Sequence, residues 1–179
     1  MTISTIELDF AALWDAALGY PQFVAESGEH RELWEGIYRL ARIPQWALDE
    51  VRPYSGRRHL LVLAEDWCGD AFNTIPVLAR LTDLSGHIDL KVLRRDDNPE
   101  VMDRYLTGGS RSIPIVIVLD EEFREIGHWG PRPAELQAWF LANRELPKQE
   151  RYPLIRRWYA RDRGESVLRE VLGLVTRHS

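Results

Sequence analysis

Apolar residues recur at helical spacing in the first third of the chain. One stripe, from Phe10 to Leu18, predicts an amphipathic helix that ends at Gly19-Tyr20-Pro21. A second stripe, from Leu33 to Ala41, predicts another helix that ends near Pro44. Residues 45–51 predict a short third helix. The first third of the chain is therefore expected to be helical.

The middle of the chain changes to short apolar runs that predict strands. These runs are His59–Ala64, Ile88–Leu93 and Pro114–Leu119. The first contains almost no polar residue, which is typical of a strand buried on both faces. Residues 123–129 predict a fourth strand, paired with the third as a hairpin.

Helical spacing returns between these strands and after them. Residues 70–84 predict a helix with Pro76 inside it, where we expect a kink. Asn98 and Pro99 predict a helix start, with Asn98 as the N-cap. Further helices are predicted at 133–143 and 165–177. The order β-α-β-α-β-β-α favours a partly parallel sheet with an antiparallel edge.

Composition sets the class of protein. The chain has 179 residues, 45% of them hydrophobic and 28% charged, as expected for one ordinary domain with extensions. No apolar run has the ~20 residues of a membrane span, and the N-terminus lacks a signal-peptide pattern. A single cysteine cannot form an internal disulfide, which fits a reducing compartment, so we expect a cytoplasmic protein. The net charge of −5 argues against general nucleic-acid binding.

The single cysteine, Cys68, lies between the first strand and the next helix. A thiol at a helix N-terminus is expected to be exposed, and the helix amides favour its thiolate. Glu65, Asp66 and Asp70 oppose this, and no Lys, Arg or His lies within six residues of Cys68. We therefore expect only a modest decrease in the pKa of Cys68.

Four motifs follow one another along the middle of the chain: Trp67-Cys68-Gly69-Asp70, Pro76 eight residues after the cysteine, Asp96-Asp97-Asn98-Pro99 and Ile113-Pro114. Their order and spacing resemble those of thioredoxin-fold proteins, and the resemblance covers residues 57–143. The variant motif Trp-Cys-Gly-Asp-Ala resembles a bacterial thioredoxin subgroup with extra N-terminal helices.

The resemblance implies a thioredoxin-like α/β fold, with a central mixed sheet of about four strands flanked by helices. It divides the chain into a helical extension over 1–55, a thioredoxin-like domain over 56–145 and a C-terminal helical extension over 146–179. It also implies that Cys68 is the catalytic nucleophile. The peptide bond before Pro114 is then expected to be cis and to face Cys68. The substrate-binding residues that it implies are Trp67, Gly69, Asp70, Ile113 and Pro114.

Three positions depart from the family pattern. Ala71 stands where the family has its second, resolving cysteine, and Val62 and Val92 stand where it has a buried aspartate and a lysine. A lone Cys68 can attack a disulfide but cannot release the product from within the protein. The sequence thus predicts monothiol chemistry without a bound cofactor, with glutathione as an outside co-substrate. A cysteine at position 71 would instead restore ordinary dithiol chemistry.

Two functions remain open at this point. The first is an atypical monothiol oxidoreductase that acts through Cys68 on a protein or a low-molecular-weight thiol or disulfide. The second is a redox-inactive binding or scaffold module that uses the surface from Trp67 to Pro114. If neither residue has a functional role, Cys68 is an inert buried residue and Asp70 only caps the helix.

The remaining chemistry-bearing residues indicate structure rather than sites. The five histidines are scattered and none has metal-ligand spacing, so no metal site is predicted. The stretch Arg151–Arg161 mixes basic and aromatic residues. We interpret it as an amphipathic helix that packs Ile155, Trp158 and Tyr159 inward, rather than as a docking site.

Overall fold

A computed structural model describes residues 7–177 of the protein. Its centre is a mixed five-stranded sheet in the order β1-β3-β2-β4-β5. Strand β2 pairs in parallel with β3, and all other neighbours are antiparallel. The strands are β1 (Leu18–Gly19), β2 (Arg58–Ala64), β3 (Ile88–Arg94), β4 (Ile115–Leu119) and β5 (Glu125–Trp129).

Helices cover the sheet in the predicted order, with one additional short helix after the first strand. Helix α5, which contains Pro76, packs against β3 and against α3. The last helix, α9, packs against β4 and β5. The helices are α1 (Phe10–Ala16), α2 (Tyr20–Ala25), α3 (Arg31–Leu40), α4 (Gln45–Val51), α5 (Gly69–Ser85), α6 (Pro99–Met102), α7 (Ala134–Ala142), α8 (Lys148–Asp162) and α9 (Glu165–Val175).

The central strand is buried because helices lie on both faces of the sheet. All seven residues of β2 are buried, which confirms the interpretation of its unbroken apolar run. Val62 of β2 lies opposite Val92 of β3 in the parallel register, and both are fully buried. The two departures from the family's polar pair therefore meet inside the core, where they form an apolar contact region.

The sheet has one strand more than predicted, at the N-terminal edge. Helix α1 ends at Ala16, Leu18 and Gly19 then pair with β3, and Tyr20 starts α2. Pro21 lies in the first turn of that helix, so the segment predicted to end the first helix also begins a second one. A strand of two residues is too short to produce a period in the sequence.

Helix α6 begins where predicted but is only four residues long. Asn98 occupies the N-cap position, yet its side chain makes no capping hydrogen bond. Its Nδ2 donates instead to the Arg94 carbonyl, at 2.8 Å. Asn98 thus ties α6 to the end of β3.

The C-terminal helices bury a small hydrophobic cluster that is separate from the main core. Leu136 of α7 packs with Ile155 and Tyr159 of α8, and three partly buried aromatic rings surround them. Arg156 and Arg157 are exposed, as predicted for an amphipathic helix. The rings are those of Trp139, Phe140 and Trp158.

Arg151 is an exception on this helix. It is buried, and its guanidinium lies 4.7 Å from the centre of the Phe140 ring and donates to the Arg144 carbonyl.

Among the described helices, none has the length and apolar composition needed to cross a membrane.

Candidate functional site at Cys68

Cys68 lies at the junction between β2 and α5. It is the N-cap of α5 and has extended backbone angles, with φ −81° and ψ 117°. Its amide donates to the Glu65 carbonyl, and its own carbonyl accepts from the Phe72 amide at 3.1 Å. The predicted position of the thiol at a helix start is therefore correct.

The thiol itself is buried, contrary to the sequence prediction. Only 8% of the Cys68 surface is exposed. Its Sγ donates to the Ile113 carbonyl at 3.5 Å, and the Ile113–Pro114 peptide bond is cis, as the resemblance implied. The loop before β4 thus contacts the sulfur and covers it. Residue spacing alone could not reveal this contact, because it depends on the tertiary fold.

Burial also reverses the expected ionisation of Cys68. It raises the pKa of the thiol to about 11, and the Asp70 charge adds to the increase. The Ala71 and Asp70 amides act in the opposite direction, as does Arg132, although neither amide makes a hydrogen bond of normal geometry with the sulfur. The predicted modest decrease in pKa is wrong because desolvation outweighs the helix amides.

Asp70 belongs to a buried cluster of polar side chains. Its carboxylate pairs with the Arg132 guanidinium at 2.8 Å and accepts a hydrogen bond from the Tyr159 hydroxyl at 2.7 Å. Only 12% of the Asp70 side chain is exposed. Burial raises the pKa of Asp70, while Arg132 and the Tyr159 hydrogen bond oppose the increase.

Sequence reasoning missed both partners of Asp70. Arg132 lies in the loop after β5, and Tyr159 lies in α8. Tyr159 was assigned to packing, which is correct for its ring but overlooks the hydroxyl. Nothing near Asp70 in the sequence indicates either residue, because only the tertiary fold brings the three elements together.

The Arg132 guanidinium is fixed on several sides. It lies 3.8 Å from the centre of the Phe140 ring, and Nη1 donates to Gln137 at 2.9 Å. The Nε atom is buried and has no hydrogen-bond partner among the described residues. Glu170 of α9 accepts a hydrogen bond from the Ala134 amide at 2.7 Å and so anchors the end of this loop.

The loop that contains Arg132 also touches the proline loop. Gly130 has φ +127°, and a Cβ atom there would lie 2.1 Å from the Pro114 carbonyl oxygen. Contacts therefore link Cys68 to Ile113, Pro114 to Gly130, and Arg132 back to Asp70. We call these residues, together with Tyr159, the thiol ring.

Trp67 and Gly69 form the exposed part of the site. Trp67 is 45% exposed, and the Arg95 guanidinium lies 5.1 Å from the centre of its ring. Gly69 is exposed, and its carbonyl accepts from the Asn73 side chain at 2.8 Å. The residues on either side of the buried Cys68 are therefore exposed.

The other two acids near Cys68 stabilise the loop. The Asp66 carboxylate accepts from the Gly28 amide at 2.9 Å, and the Asp66 carbonyl accepts from the Trp34 indole at 2.9 Å. Glu65 is buried and accepts from the Asp96 amide at 3.0 Å, and burial raises its pKa. The N-terminal helices are therefore bonded directly to the loop that presents the thiol.

The part of the chain from residue 7 to 177 contains no group of His, Cys, Asp and Glu residues that could hold a metal ion. The site consists of the Cys68 thiol, the ion pair between Asp70 and Arg132 and the Tyr159 hydroxyl.

The mixed sheet, the thiol at the start of α5 and the adjoining proline loop define a thioredoxin-like α/β protein. A family model described as thioredoxin matches residues 18–150, and the chain belongs to this family. The match begins at β1, in the region that the sequence assigned to an extension.

Solved structures show the same fold. A Pseudomonas aeruginosa protein, described as of unknown function, is 21% identical, with a TM-score of 0.78, and the alignment covers 94% of this chain and 98% of that one. An HIV epitope-scaffold is 20% identical, with a TM-score of 0.76 and coverage of 96% and 100%. No curated protein matches the sequence.

Proposed function

We propose that this protein is a slow, single-cysteine thiol–disulfide exchange protein that captures a partner as a mixed disulfide at Cys68. The observation that supports this most is the placement of the thiol. Its Sγ lies at the start of α5 and 3.5 Å from the carbonyl of Ile113, next to the cis Pro114. The partners that we propose are proteins and low-molecular-weight thiols or disulfides, met in the cytoplasm.

The exchange reaction needs one thiolate and one disulfide. The Cys68 thiolate attacks R–S–S–R′, so that a Cys68–S–S–R bond forms, the original disulfide breaks and R′S⁻ leaves and takes a proton from water. Ala71 offers no second thiol for release. An outside thiol such as glutathione must therefore attack the mixed disulfide and regenerate Cys68 as the free thiol.

The ionisation of Cys68 makes this reaction slow. With a pKa of about 11, roughly one thiol in ten thousand is ionised at pH 7. Long-lived capture of one partner fits such a thiol better than rapid turnover. A docked partner would increase the rate only if it lowers the pKa of Cys68.

The Ile113 carbonyl can bind the partner once Cys68 is in a mixed disulfide. In the free protein it accepts the hydrogen bond of the thiol. A disulfide has no S–H, so capture leaves this carbonyl free to accept an amide from an extended partner chain. The exposed Trp67 ring adds an apolar contact beside it.

A second function is favoured by the burial of Cys68 and by its raised pKa. In this alternative the protein is a redox-inactive binding or scaffold module, and the surface around Trp67 binds a partner without a covalent bond. Cys68 then acts only as a small apolar residue of the core.

Incubation with oxidised glutathione, followed by intact-protein mass spectrometry, tests the first function. We expect one glutathione on the folded wild type and none on Cys68→Ser. If only urea-unfolded protein takes up glutathione, the exchange function is wrong. Binding of a cytosolic partner that survives Cys68→Ser would then support the binding module.

Ala71→Cys provides the matched control. Position 71 is fully buried, one helical turn from Cys68, and lies where a resolving thiol is needed. We expect this variant to lose the bound glutathione by forming an internal disulfide, and to reduce insulin faster than the wild type.

A further inference from the structure

The thiol ring joins four separate parts of the chain around one sulfur. The start of α5 supplies Cys68 and Asp70, and the loop before β4 supplies the Ile113 carbonyl. The loop after β5 supplies Arg132, and α8 supplies Tyr159. Arg132 is the cation of this ring.

We propose that Arg132 is a positioning residue that stabilises the Cys68 thiolate, and that Asp70 withholds this charge in the resting protein. The proposal rests on the exchange function proposed above, for which a thiolate is required. It assigns opposite electrostatic roles to an arginine far along the chain and to the aspartate that ends the Trp67-Cys68-Gly69-Asp70 motif.

The contacts of Arg132 support its role. Its Nη2 is engaged by Asp70 at 2.8 Å and its Nη1 by Gln137 at 2.9 Å. Its Nε is a buried donor without an acceptor among the described residues. Such a donor is costly to bury in a neutral surrounding and favours a nearby anion. Arg132 also acts to lower the pKa of Cys68.

Asp70 opposes Arg132 at the sulfur. Its charge raises the pKa of Cys68, and its ion pair with Arg132 places the two opposite charges side by side. Their effects on a third group therefore largely cancel. Tyr159 donates to the same carboxylate at 2.7 Å and so favours its charged form. Loss of the Asp70 charge would leave the guanidinium charge uncompensated within the thiol ring.

The other charged groups near the sulfur have their own partners. Asp66 accepts from the Gly28 amide, and Glu65 accepts from the Asp96 amide. The loop before β4 presents a backbone carbonyl to the sulfur. The ionisation of Cys68 is therefore expected to respond mainly to Asp70, Arg132 and Tyr159.

The pH dependence of alkylation by iodoacetamide tests the proposal. Cys68 is the single cysteine, so intact mass reports one site. For Asp70→Asn we expect the midpoint of the rate profile to move down by about one pH unit, which means about tenfold faster alkylation at pH 7. For Arg132→Met we expect the midpoint to move up, and for Arg132→Lys to stay near that of the wild type.

The double variant separates charge from access. In Asp70→Asn combined with Arg132→Met both opposing charges are removed, so the midpoint should return close to that of the wild type. If the midpoint of the double variant stays as low as that of Asp70→Asn, or if Asp70→Asn accelerates alkylation equally at every pH, the proposal is wrong. Arg124→Met, which alters an exposed arginine in the β4–β5 turn, is the control and should leave the profile unchanged.

Thermal unfolding establishes that each variant folds. If Arg132→Met does not fold, Arg132→Gln removes the same charge and takes its place. Glutathione uptake by the same variants separates the two proposals. Shifted midpoints without any mixed disulfide would overturn the exchange function alone, whereas mixed disulfides with unshifted midpoints would overturn the role of Arg132 alone.

Discussion

At the scale of single residues, ionisation of Cys68 is coupled to folding. The sulfur is buried in the folded protein and reaches water in the unfolded chain. Burial raises the pKa of the folded state from 9.0 to about 11, so the unfolded chain loses its thiol proton first as the pH rises. Stability contributed by the neutral thiol is therefore complete below about pH 9 and is lost between pH 9 and 11.

We predict that the stability advantage of wild type over Cys68→Ala decreases by about 1.4 kcal/mol between pH 7 and pH 10. Urea unfolding of both proteins at the two pH values measures this difference. The comparison with Cys68→Ala isolates the contribution of this thiol, because the two proteins differ only at position 68. Parallel pH curves would show that Cys68 ionises equally in the folded and unfolded states.

Gly130 is a second residue whose local geometry has a measurable consequence. Its φ of +127° is accessible to glycine and strained for other residues, and a Cβ would overlap the Pro114 carbonyl oxygen. For Gly130→Ala we predict a loss of at least about 2 kcal/mol in the free energy of unfolding.

Gly36→Ala is the control for this substitution. Gly36 lies within α3, and a Cβ there meets no atom within 4 Å. We expect no loss, and a gain of up to about 1 kcal/mol from the higher helix propensity of alanine. Equal urea midpoints for the two variants would contradict the argument from Gly130.

At the scale of elements, α7 and α8 form a unit with its own small core. Leu136, Ile155 and Tyr159 pack together apart from the main cluster under the sheet. Tyr159 is also a member of the thiol ring, because its hydroxyl donates to Asp70. The local stability of α7 and α8 therefore affects how firmly Tyr159 is held in the ring.

We predict that Ile155→Ala lowers the free energy of local opening in residues 134–162 by about 2 kcal/mol, because a buried side chain leaves a cavity in a small cluster. Amide exchange there should become about thirtyfold faster, while exchange in β2 changes less. Leu154→Ala, at an adjacent and 39% exposed position, should have little effect. Uniform loss of protection in both regions would mean that α7 and α8 unfold only with the whole domain.

At the scale of the whole molecule, Arg58 connects the first residue of β2 to the end of α9. Its side chain is buried, and Nε donates to the Val175 carbonyl at 3.1 Å and Nη2 to the Arg177 carbonyl at 3.3 Å. The C-terminal carbonyls of a helix carry partial negative charge, which a guanidinium stabilises. The C-terminal extension is thereby fixed to the central strand.

We predict that Arg58→Met lowers the free energy of unfolding by about 2–3 kcal/mol, because it removes charged hydrogen bonds and leaves the buried Val175 carbonyl unpaired. Arg57→Met is the matched control at the neighbouring position. Arg57 is half exposed and pairs with Asp89, so its loss should cost less than about 1 kcal/mol. Urea unfolding measures both, and equal losses would contradict a special role for Arg58.

Much of this architecture was predictable from local patterns. The unbroken apolar run of β2, the helical period over α5 and the order of the elements are set by neighbouring residues, so they could be derived before the structure. The two-residue β1 could not, because its conformation depends on pairing with β3. The same distinction holds at the site, where Cys68 and Ile113–Pro114 follow from motifs, but Arg132 and Tyr159 do not.

The sequence by itself determined that one thiol begins a helix after a buried strand, that a proline loop accompanies it and that no second cysteine can release a captured partner. These are properties of residue type and spacing. Tertiary structure alone decided that the thiol is covered and that its pKa rises. The reason is physical, because burial and Coulomb interactions depend on distances through space, and the Ile113, Asp70 and Arg132 that set them come from separate elements.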